Sequence, residues 1–445
     1  MNILLISANN ERMPDPVPPI GIGFIAGAVL KKNHQCKILD MNFISDFKIS
    51  LLNEIKDFQP SVIGISFRNV DNSAFPAVVS YIEHYKNIVK VCREELPNIP
   101  IIAGGPAFSL FPDELYDILK LDYGVVGEGE YVFTDIIESI NNGNKMKPGI
   151  YSSKNQELDI NEFSPAFDLL NIKEYFKQSG SINIQTKRGC NFKCCYCSYP
   201  LLEGRKIRFK NPKIAVDEIE YCLNKYSVDY YFFVDNVFNI MKEHSVSICE
   251  EILRRGLNIK WTAYVSPAGL DKATLEMYKK AGCASLDFGI DSASFAGLKA
   301  LSKDFSPLDI KNCSLWCKEL GIKFNHSIIL AVPGETKETL EESISNIMEC
   351  NPTAVTGMIG IRVYKNTALS EKLIKEGWIK EKDINTRPVF YIEENVKEYA
   401  LERATELSKK YKNWVFPGIT HKMDPMFFDL LRSRGVKGPL WGLLG

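Results

Sequence analysis

The chain has 445 residues, of which 45% are hydrophobic and 24% are charged, and its formal net charge is −1 at pH 7. This length predicts two or three domains with ordinary globular cores. The balanced charge excludes the strong basic field of a nucleic-acid-binding protein. The longest apolar stretch, residues 20–30, contains three glycines and is too short to span a membrane.

The N-terminal residues favour a cytoplasmic protein. They lack the basic region and the cleavage site of a secretory leader, and residues 2–7 have the pattern of a buried first strand. The chain contains 12 cysteines. Without secretion these are expected to be reduced thiols and not disulfides.

Residues 1–145 alternate strand patterns with helix patterns. This alternation predicts an α/β domain with a parallel sheet and right-handed connections. Ligands of such sheets bind at the carboxyl ends of the strands. A helix is predicted to follow Pro18 and Pro19, and the predicted strands span residues 2–7, 36–39, 62–66, 101–103 and 123–126.

Three loops at these strand ends have compositions that suggest a ligand site. Residues 68–72 follow the third strand, Gly104 and Gly105 follow the fourth, and residues 127–130 follow the fifth. Glycine at a strand end allows the backbone to approach a flat ligand closely. The alternative is that these glycines only make tight turns.

A second strand–helix series follows a predicted linker at residues 146–180. It contains six units between residues 181 and 363, and a small mixed region at residues 364–445 completes the chain. Helix starts are marked by Asn211 before Pro212 and by Ser306 before Pro307. The predicted strands span residues 182–186, 230–234, 260–265, 285–289, 323–330 and 354–361.

The loop after the first of these strands contains Cys190, Cys194 and Cys197, with the spacing C-x3-C-x2-C. Three thiolates can hold a 4Fe–4S cluster and leave one iron open for a substrate or cofactor. A structural zinc site would need a fourth ligand, and no second C-x2-C or H-x3-H pair follows. Cys195 lies between two ligand positions and is expected to point away from them.

This cysteine run resembles the signature of the radical S-adenosylmethionine (SAM) superfamily, with Tyr196 as its aromatic residue. The resemblance implies a partial (βα)6 barrel at residues 181–363. It also implies that the amine and carboxylate of SAM chelate the open iron, that Tyr196 lies beside the adenine, and that the reduced cluster cleaves SAM to a 5′-deoxyadenosyl radical.

Further strand ends resemble SAM contacts of this superfamily. Asp235 is predicted to accept hydrogen bonds from the SAM amine, with Asn236 where many relatives have a second acid. Residues 289–292 and 332–336 resemble family loops near the ribose and the adenine. A helix cap is the alternative role for Ser292 and Thr336. The predicted SAM-binding residues are Tyr196, Asp235, Ser266, Asp291 and Ser292.

The first domain resembles the Rossmann-like cobalamin-binding domain that precedes many radical SAM domains. The D-x-H-x-x-G motif of the cobalamin mutases is absent, which implies base-off cobalamin without a histidine ligand. Arg68 is the candidate to lie beneath the cobalt, and a surface salt bridge to Asp71 is its alternative role. The predicted cobalamin-binding residues are Gly21, Arg68, Asn72, Gly104, Gly105, Gly127, Glu128 and Glu130.

These resemblances imply a class B, cobalamin-dependent radical SAM methyltransferase with a C-terminal domain that shapes the substrate pocket. SAM would then supply both the methyl group and the radical, and the substrate would be a small molecule or a peptide. A flavodoxin or ferredoxin would be the reductant. Ring contraction or cyclisation, a polar methylation and a non-enzymatic cobalamin sensor remain alternatives. The sequence assigns no catalytic residue and identifies no substrate.

Overall fold

The computed structural model describes residues 1–143, 146–153, 157–420 and 425–444. The domain boundary predicted at residue 145 lies outside these ranges. Within them, no helix has the length and apolar character needed to cross a membrane.

The first domain is a six-stranded parallel sheet with strand order β2-β1-β3-β4-β5-β6. The five predicted strands are confirmed. A sixth pairs with β5 and extends the sheet into the segment that was expected to be a linker. The strands are β1 Asn2–Ser7, β2 Gln35–Asp40, β3 Val62–Ser66, β4 Ile101–Gly104, β5 Tyr123–Val126 and β6 Gly149–Ser152. The helices are α1 Ile20–Lys31, α2 Phe47–Phe58, α3 Ile82–Glu95, α4 Pro106–Leu110, α5 Pro112–Leu119 and α6 Glu130–Asn141, and α7 Ile172–Ser179 leads to the next domain.

Burial explains why β1 lies inside this sheet. Ile3, Leu4, Leu5 and Ile6 all have at most 1% of their surface exposed. A parallel sheet covered by helices on both faces requires such a continuous apolar run. Because the strands are parallel, their carboxyl ends lie on one side of the sheet, and the three predicted loops follow them there.

The second domain is an open, parallel sheet of seven strands in the order β17-β14-β13-β12-β11-β10-β7, in which β17 is the short strand Trp414–Val415 from the C-terminal region. Six strands are the predicted ones, and the sheet is not closed into a full barrel. Up to β14 the strands are β7 Ile182–Ile184, β8 Lys187–Arg188, β9 Arg208–Phe209, β10 Tyr230–Phe233, β11 Lys260–Val265, β12 Cys283–Asp291, β13 Lys323–Leu330 and β14 Ala354–Ile359. The helices are α8 Tyr199–Glu203, α9 Pro212–Tyr226, α10 Lys242–Arg254, α11 Lys272–Lys280, α12 Phe295–Ala300, α13 Pro307–Glu319 and α14 Lys337–Cys350. Asn211 and Ser306 cap α9 and α13 as predicted.

The first strand of this sheet is shorter than predicted. Asp235 accepts hydrogen bonds from the backbone amides of Thr186 at 2.8 Å and Lys187 at 3.0 Å. These amides are therefore unavailable to a continued ladder. The chain turns there and enters the cysteine loop.

The C-terminal region reaches from one edge of the second sheet to the other. Trp414–Val415 pairs with the edge strand β14, and the Gly438 amide donates to the Gly180 carbonyl at 2.9 Å just before β7. Arg432 pairs with Asp15 of the first domain at 2.8 Å. The remaining elements are β15 Ile361–Arg362, α15 Ala368–Lys375, β16 Phe390–Tyr391, α16 Lys397–Lys410, β17 Trp414–Val415 and α17 Pro425–Ser433.

Candidate active site

The three cysteines of the C-x3-C-x2-C run lie on one loop beyond the carboxyl end of β7. The Cys190 amide donates to the Gly204 carbonyl at 3.1 Å, and the Cys197 amide donates to the Cys194 carbonyl at 3.2 Å. Gly189 enters the loop at φ +90°, where a Cβ would lie 2.1 Å from a backbone carbonyl oxygen. Glycine at this position therefore lets the two sides of the loop pack together.

The thiols interact electrostatically. Burial, with smaller contributions from Cys194 and Cys190, raises the pKa of Cys197 to about 12. Burial also raises the pKa of Cys194, and Cys190 contributes to that rise. Within the described ranges, no group of three or more His, Cys, Asp or Glu side chains has the geometry to hold a single metal ion. Three neighbouring thiols on one loop are the donor set that a 4Fe–4S cluster takes.

Cys195 forms a hydrogen bond, through its thiol, with a segment outside the cysteine loop. Its Sγ donates to the Ala300 carbonyl at 3.6 Å. Its backbone amide donates to Leu301, and its carbonyl accepts from the Leu369 amide. Cys195 therefore attaches the loop to the C-terminal part of the second domain.

Tyr196 and Asp291 lie together, and the sequence analysis missed their cationic partner, Lys303. The Tyr196 hydroxyl donates to Asp291 Oδ2, and Lys303 Nζ forms an ion pair with the same carboxylate. Burial alone would lower the pKa of Lys303, but Asp291 and Cys194 outweigh that effect and raise it. A fixed ammonium group therefore lies beside the cysteine loop, where no sequence motif marks it.

Two other predicted SAM residues are buried and engaged elsewhere. The Ser266 backbone exchanges hydrogen bonds with the Asn239 side chain at 2.8 and 2.9 Å, and the Ser266 hydroxyl accepts a hydrogen bond from the Ala268 amide at 3.2 Å. Ser292 is 1% exposed and contacts Ser294, which caps α12 in its place. Thr336 caps α14, as its alternative role suggested. Direct contacts of Ser266 and Ser292 with SAM stay predictions.

Asp235 is placed to hold the backbone at Thr186 and Lys187, just before the cysteine loop. It is 1% exposed, and besides the two backbone amides it accepts a hydrogen bond from Thr186 Oγ1 at 2.6 Å. Next to it, Glu203 accepts hydrogen bonds from the Gly189 amide at 3.1 Å and from Asn236 at 3.0 Å. Glu203 lines the central cavity, and sequence reasoning missed it. A contact between Asp235 and the SAM amine stays a prediction.

A single cavity of about 1840 Å³ lies between the two sheets. Ordinary small-molecule pockets measure roughly 300–1,000 Å³, so this cavity has room for a large cofactor together with a substrate. Helix α8, which follows the cysteine loop directly, lines the cavity with Tyr199, Leu202 and Glu203. All eight predicted cobalamin-binding residues line it: Gly21, Arg68, Asn72, Gly104, Gly105, Gly127, Glu128 and Glu130.

The glycines of the first domain fit a bulky ligand at this edge. A Cβ added at Gly21 would have no atom within 4 Å, so this glycine faces open space. Gly105 has φ +91°, and a Cβ there would lie 2.7 Å from the Phe67 carbonyl oxygen. At Gly21 the start of α1 therefore presents bare backbone to the cavity, whereas glycine at position 105 is required by the close packing of the turn itself.

Arg68 lines the cavity and its alternative role is wrong. Asp71 pairs with Arg362, not with Arg68, at 3.1 Å. The charge of Arg68 lowers the pKa of Tyr199 and Tyr264, although burial raises both overall. Both tyrosines line the same cavity from the second domain, so Arg68 faces across it.

Glu128 and Glu130 connect the two domains. Arg188 pairs with Glu128 at 2.9 Å and with Glu130 at 2.6 Å, and Arg208 pairs with Glu128 at 2.5 Å. The guanidinium of Arg188 also lies 4.8 Å from the Phe24 ring centre. These carboxylates are engaged by ion pairs, so any contact of this loop with cobalamin would use its backbone.

No histidine in the described part of the chain lines the cavity. His34, His84, His244 and His326 all lie elsewhere in the fold. His421 falls outside the described residues. The expectation of cobalamin without a histidine ligand stays a prediction.

Comparisons with known proteins identify both domains. Residues 7–137 match the B12-binding domain, and residues 184–347 match the radical SAM superfamily. These domains take cobalamin, a 4Fe–4S cluster and SAM. The two matches coincide with the sheet that carries the glycine loops and the sheet that carries the cysteine loop.

The chain is similar to an uncharacterised methyltransferase, PH0819, of Pyrococcus horikoshii, with 25% identity over 92% of this chain and 91% of the relative. It is 26% identical to the anaerobic magnesium-protoporphyrin IX monomethyl ester cyclase of Cereibacter sphaeroides, over 75% of this chain and 57% of that protein. Its fold matches a radical SAM methyltransferase, TsrM of Kitasatospora setae, solved with tryptophan and a SAM analogue. That match has a TM-score of 0.86 and 18% identity, and covers 99% of this chain and 96% of that one.

The domain matches agree with the site geometry. The cysteine loop, the glycine loops and the shared cavity lie where the two domains meet. The chain therefore combines a B12-binding domain with a radical SAM domain, the arrangement of the cobalamin-dependent radical SAM enzymes.

Proposed function

We propose that the protein transfers a methyl group from SAM, by way of cobalamin, to a carbon of a small molecule. The observation that carries this proposal is the single cavity that joins the strand ends of both sheets. When bound, the cluster and SAM supply a 5′-deoxyadenosyl radical and cobalamin carries the methyl group. A substrate in this cavity would contact both cofactor sites without leaving the protein.

The chain's own residues position these groups. Cys190, Cys194 and Cys197 would hold the cluster, and Lys303 with Asp291 would place polar groups beside SAM. Gly21, Gly104 and Gly105 would let the cobalamin ring approach the first sheet. Catalytic power in such a site comes from the orientation of reacting groups and from the exclusion of water.

The finer assignments belong to this proposal. We favour a small molecule over a peptide as substrate, because apolar C-terminal residues such as Phe428, Leu431 and Trp441 line the cavity. A flavodoxin or ferredoxin would reduce the cluster, since SAM cleavage needs one electron. A cytoplasmic location fits the oxygen-sensitive cluster and the 12 cysteines, all of which are free.

Methyl transfer has a direct test. Protein loaded anaerobically with the cluster and hydroxocobalamin is incubated with a reductant, candidate substrates and SAM that carries a trideuterated methyl group. We expect a product with the added trideuteromethyl group and an equal amount of S-adenosylhomocysteine. Protein prepared without cobalamin is the control and should form neither. Turnover without cobalamin would contradict the proposal.

Replacing Arg68 by histidine tests its position beneath the cobalt. If this side chain lies under the metal, the imidazole nitrogen of Arg68→His becomes a ligand, and the absorption spectrum of bound cobalamin shifts. Arg68→Gln is the matched control, because it removes the charge without adding an imidazole, and it should leave the spectrum unchanged. A cobalamin-loaded Arg68→His protein with the wild-type spectrum would exclude Arg68 from this position.

A further inference from the structure

The inner face of the second sheet carries a chain of hydrogen bonds that ends on Asp287. Thr356 Oγ1 donates to Asn325 Oδ1 at 3.3 Å. Asn325 Nδ2 then donates to Ser327 Oγ at 3.2 Å, and Ser327 Oγ donates to Asp287 Oδ1 at 2.8 Å. Each donor points toward the carboxylate, so the chain is arranged for Asp287 as the terminal acceptor.

Asp287 lines the cavity without a compensating cation. Burial raises its pKa to about 6, and the hydrogen bonds from Ser327 and Asn325 oppose that rise. The charged group that contributes is Asp291, which is also negative and raises the pKa further. Within the described ranges no lysine or arginine forms an ion pair with Asp287. A carboxylate in this state is stabilised by a cation that arrives with a ligand.

The walls of the cavity are mostly apolar. Phe232 of β10 and Met358 of β14 line it two strands away from Asp287 on either side, and Tyr264 lies directly across from Asp287 in the β11–β12 pairing. Arg68, on the opposite wall, influences Tyr264 but makes no contribution at Asp287. Other carboxylates also line the cavity, but Glu128, Glu130 and Asp15 pair with arginines, and Glu11 and Glu203 accept hydrogen bonds from backbone amides. Asp287 differs from them because it ends a chain of side-chain donors on the second sheet.

We propose that Asp287 binds a protonated amine of the substrate, so that the substrate class is a small amine with an apolar body. This proposal rests on the proposed function, because the occupant of the cavity is taken to be the molecule that is methylated. A charge-assisted hydrogen bond to the buried carboxylate would select the amine and fix the orientation of the apolar body.

Three probes with the same body and different charges test this selection. Phenethylamine, phenethyl alcohol and 3-phenylpropionate are titrated by calorimetry into protein loaded with the cluster and cobalamin, at about pH 7.5, where Asp287 is ionised. We expect the amine to bind at least about tenfold more tightly than the alcohol, and the carboxylate to bind most weakly. Asp287→Asn should reduce the affinity for the amine to that for the alcohol. Asp217→Asn, which removes an exposed carboxylate of α9 outside the cavity, is the matched control and should keep the preference.

Several results would overturn the proposal. These are equal affinities of wild-type protein for the amine and the alcohol, or no measurable binding of either. The proposal would also be overturned if the Asp287→Asn protein still bound the amine more tightly than the alcohol. A loss of affinity for SAM in this variant would overturn it too, since Asp287 would then serve the cofactor. The wild-type comparison needs no variant, so it stands even if Asp287→Asn does not fold. Binding is measured without turnover, so a failure of methyl transfer remains distinguishable from a failure of amine selection.

Discussion

A chain in which Cys190, Cys194 and Cys197 are all replaced by alanine is expected to bind no iron after anaerobic reconstitution. The wild-type chain is expected to bind about four irons and to show an absorption band that dithionite bleaches. The reason is that the three thiols lie on one loop with the C-x3-C-x2-C spacing, which supplies three thiolate ligands to a 4Fe–4S cluster. Iron analysis and absorption spectroscopy on both proteins measure this difference.

Cys195→Ala provides the matched control. Its thiol contacts the Ala300 carbonyl, so its loss should leave the iron content unchanged. A Cys195→Ala protein that loses its iron as completely as the triple variant would contradict the ligand assignment. So would a triple variant that retains about four irons.

Arg188→Met is expected to lower the free energy of unfolding by about 3–5 kcal/mol, because it leaves buried carboxylates without their partner. The side chains of Arg188 and Glu130 are 9% and 3% exposed, so solvent screens this pair only weakly. Denaturant unfolding monitored by circular dichroism measures the change.

Lys206→Met is the control for Arg188→Met. Lys206 pairs with Glu157 in the same part of the sequence, but their side chains are 72% and 64% exposed. Exposed pairs of this kind contribute little, so no resolvable change is expected. If both variants unfolded at the same denaturant concentration, the pair between Arg188 and Glu130 would not hold the domains together.

The order of strands and the position of the cysteine loop follow from local sequence. Alternating strand and helix patterns are short-range signals, and the C-x3-C-x2-C spacing lies within eight residues. The loop of residues 68–72 was predicted at a ligand site because the carboxyl ends of parallel strands lie at one edge of the sheet, and Arg68 was chosen within it by resemblance to the cobalamin-binding domain. These predictions needed no knowledge of contacts between distant residues.

The features that sequence reasoning missed depend on distant contacts or on very short elements. Lys303 donates a hydrogen bond to Tyr196, which lies 107 positions earlier in the chain, and no sequence motif links two residues so far apart. The strand Trp414–Val415 has only two residues, too few for an alternating pattern. Glu128 and Glu130 were assigned to cobalamin, but their arginine partner lies about 60 positions away and its pairing appears only in the folded chain.

The relative amounts of 5′-deoxyadenosine and S-adenosylhomocysteine formed during turnover test radical methylation most directly. With a substrate deuterated at the methylated carbon, we expect both compounds in about equal amounts, each matching the methylated product, and deuterium in the 5′-deoxyadenosine, because one SAM supplies the radical and another the methyl group. A ring-forming enzyme would make 5′-deoxyadenosine without S-adenosylhomocysteine. Methylation at full rate without 5′-deoxyadenosine would contradict the radical route and assign a polar transfer to this protein.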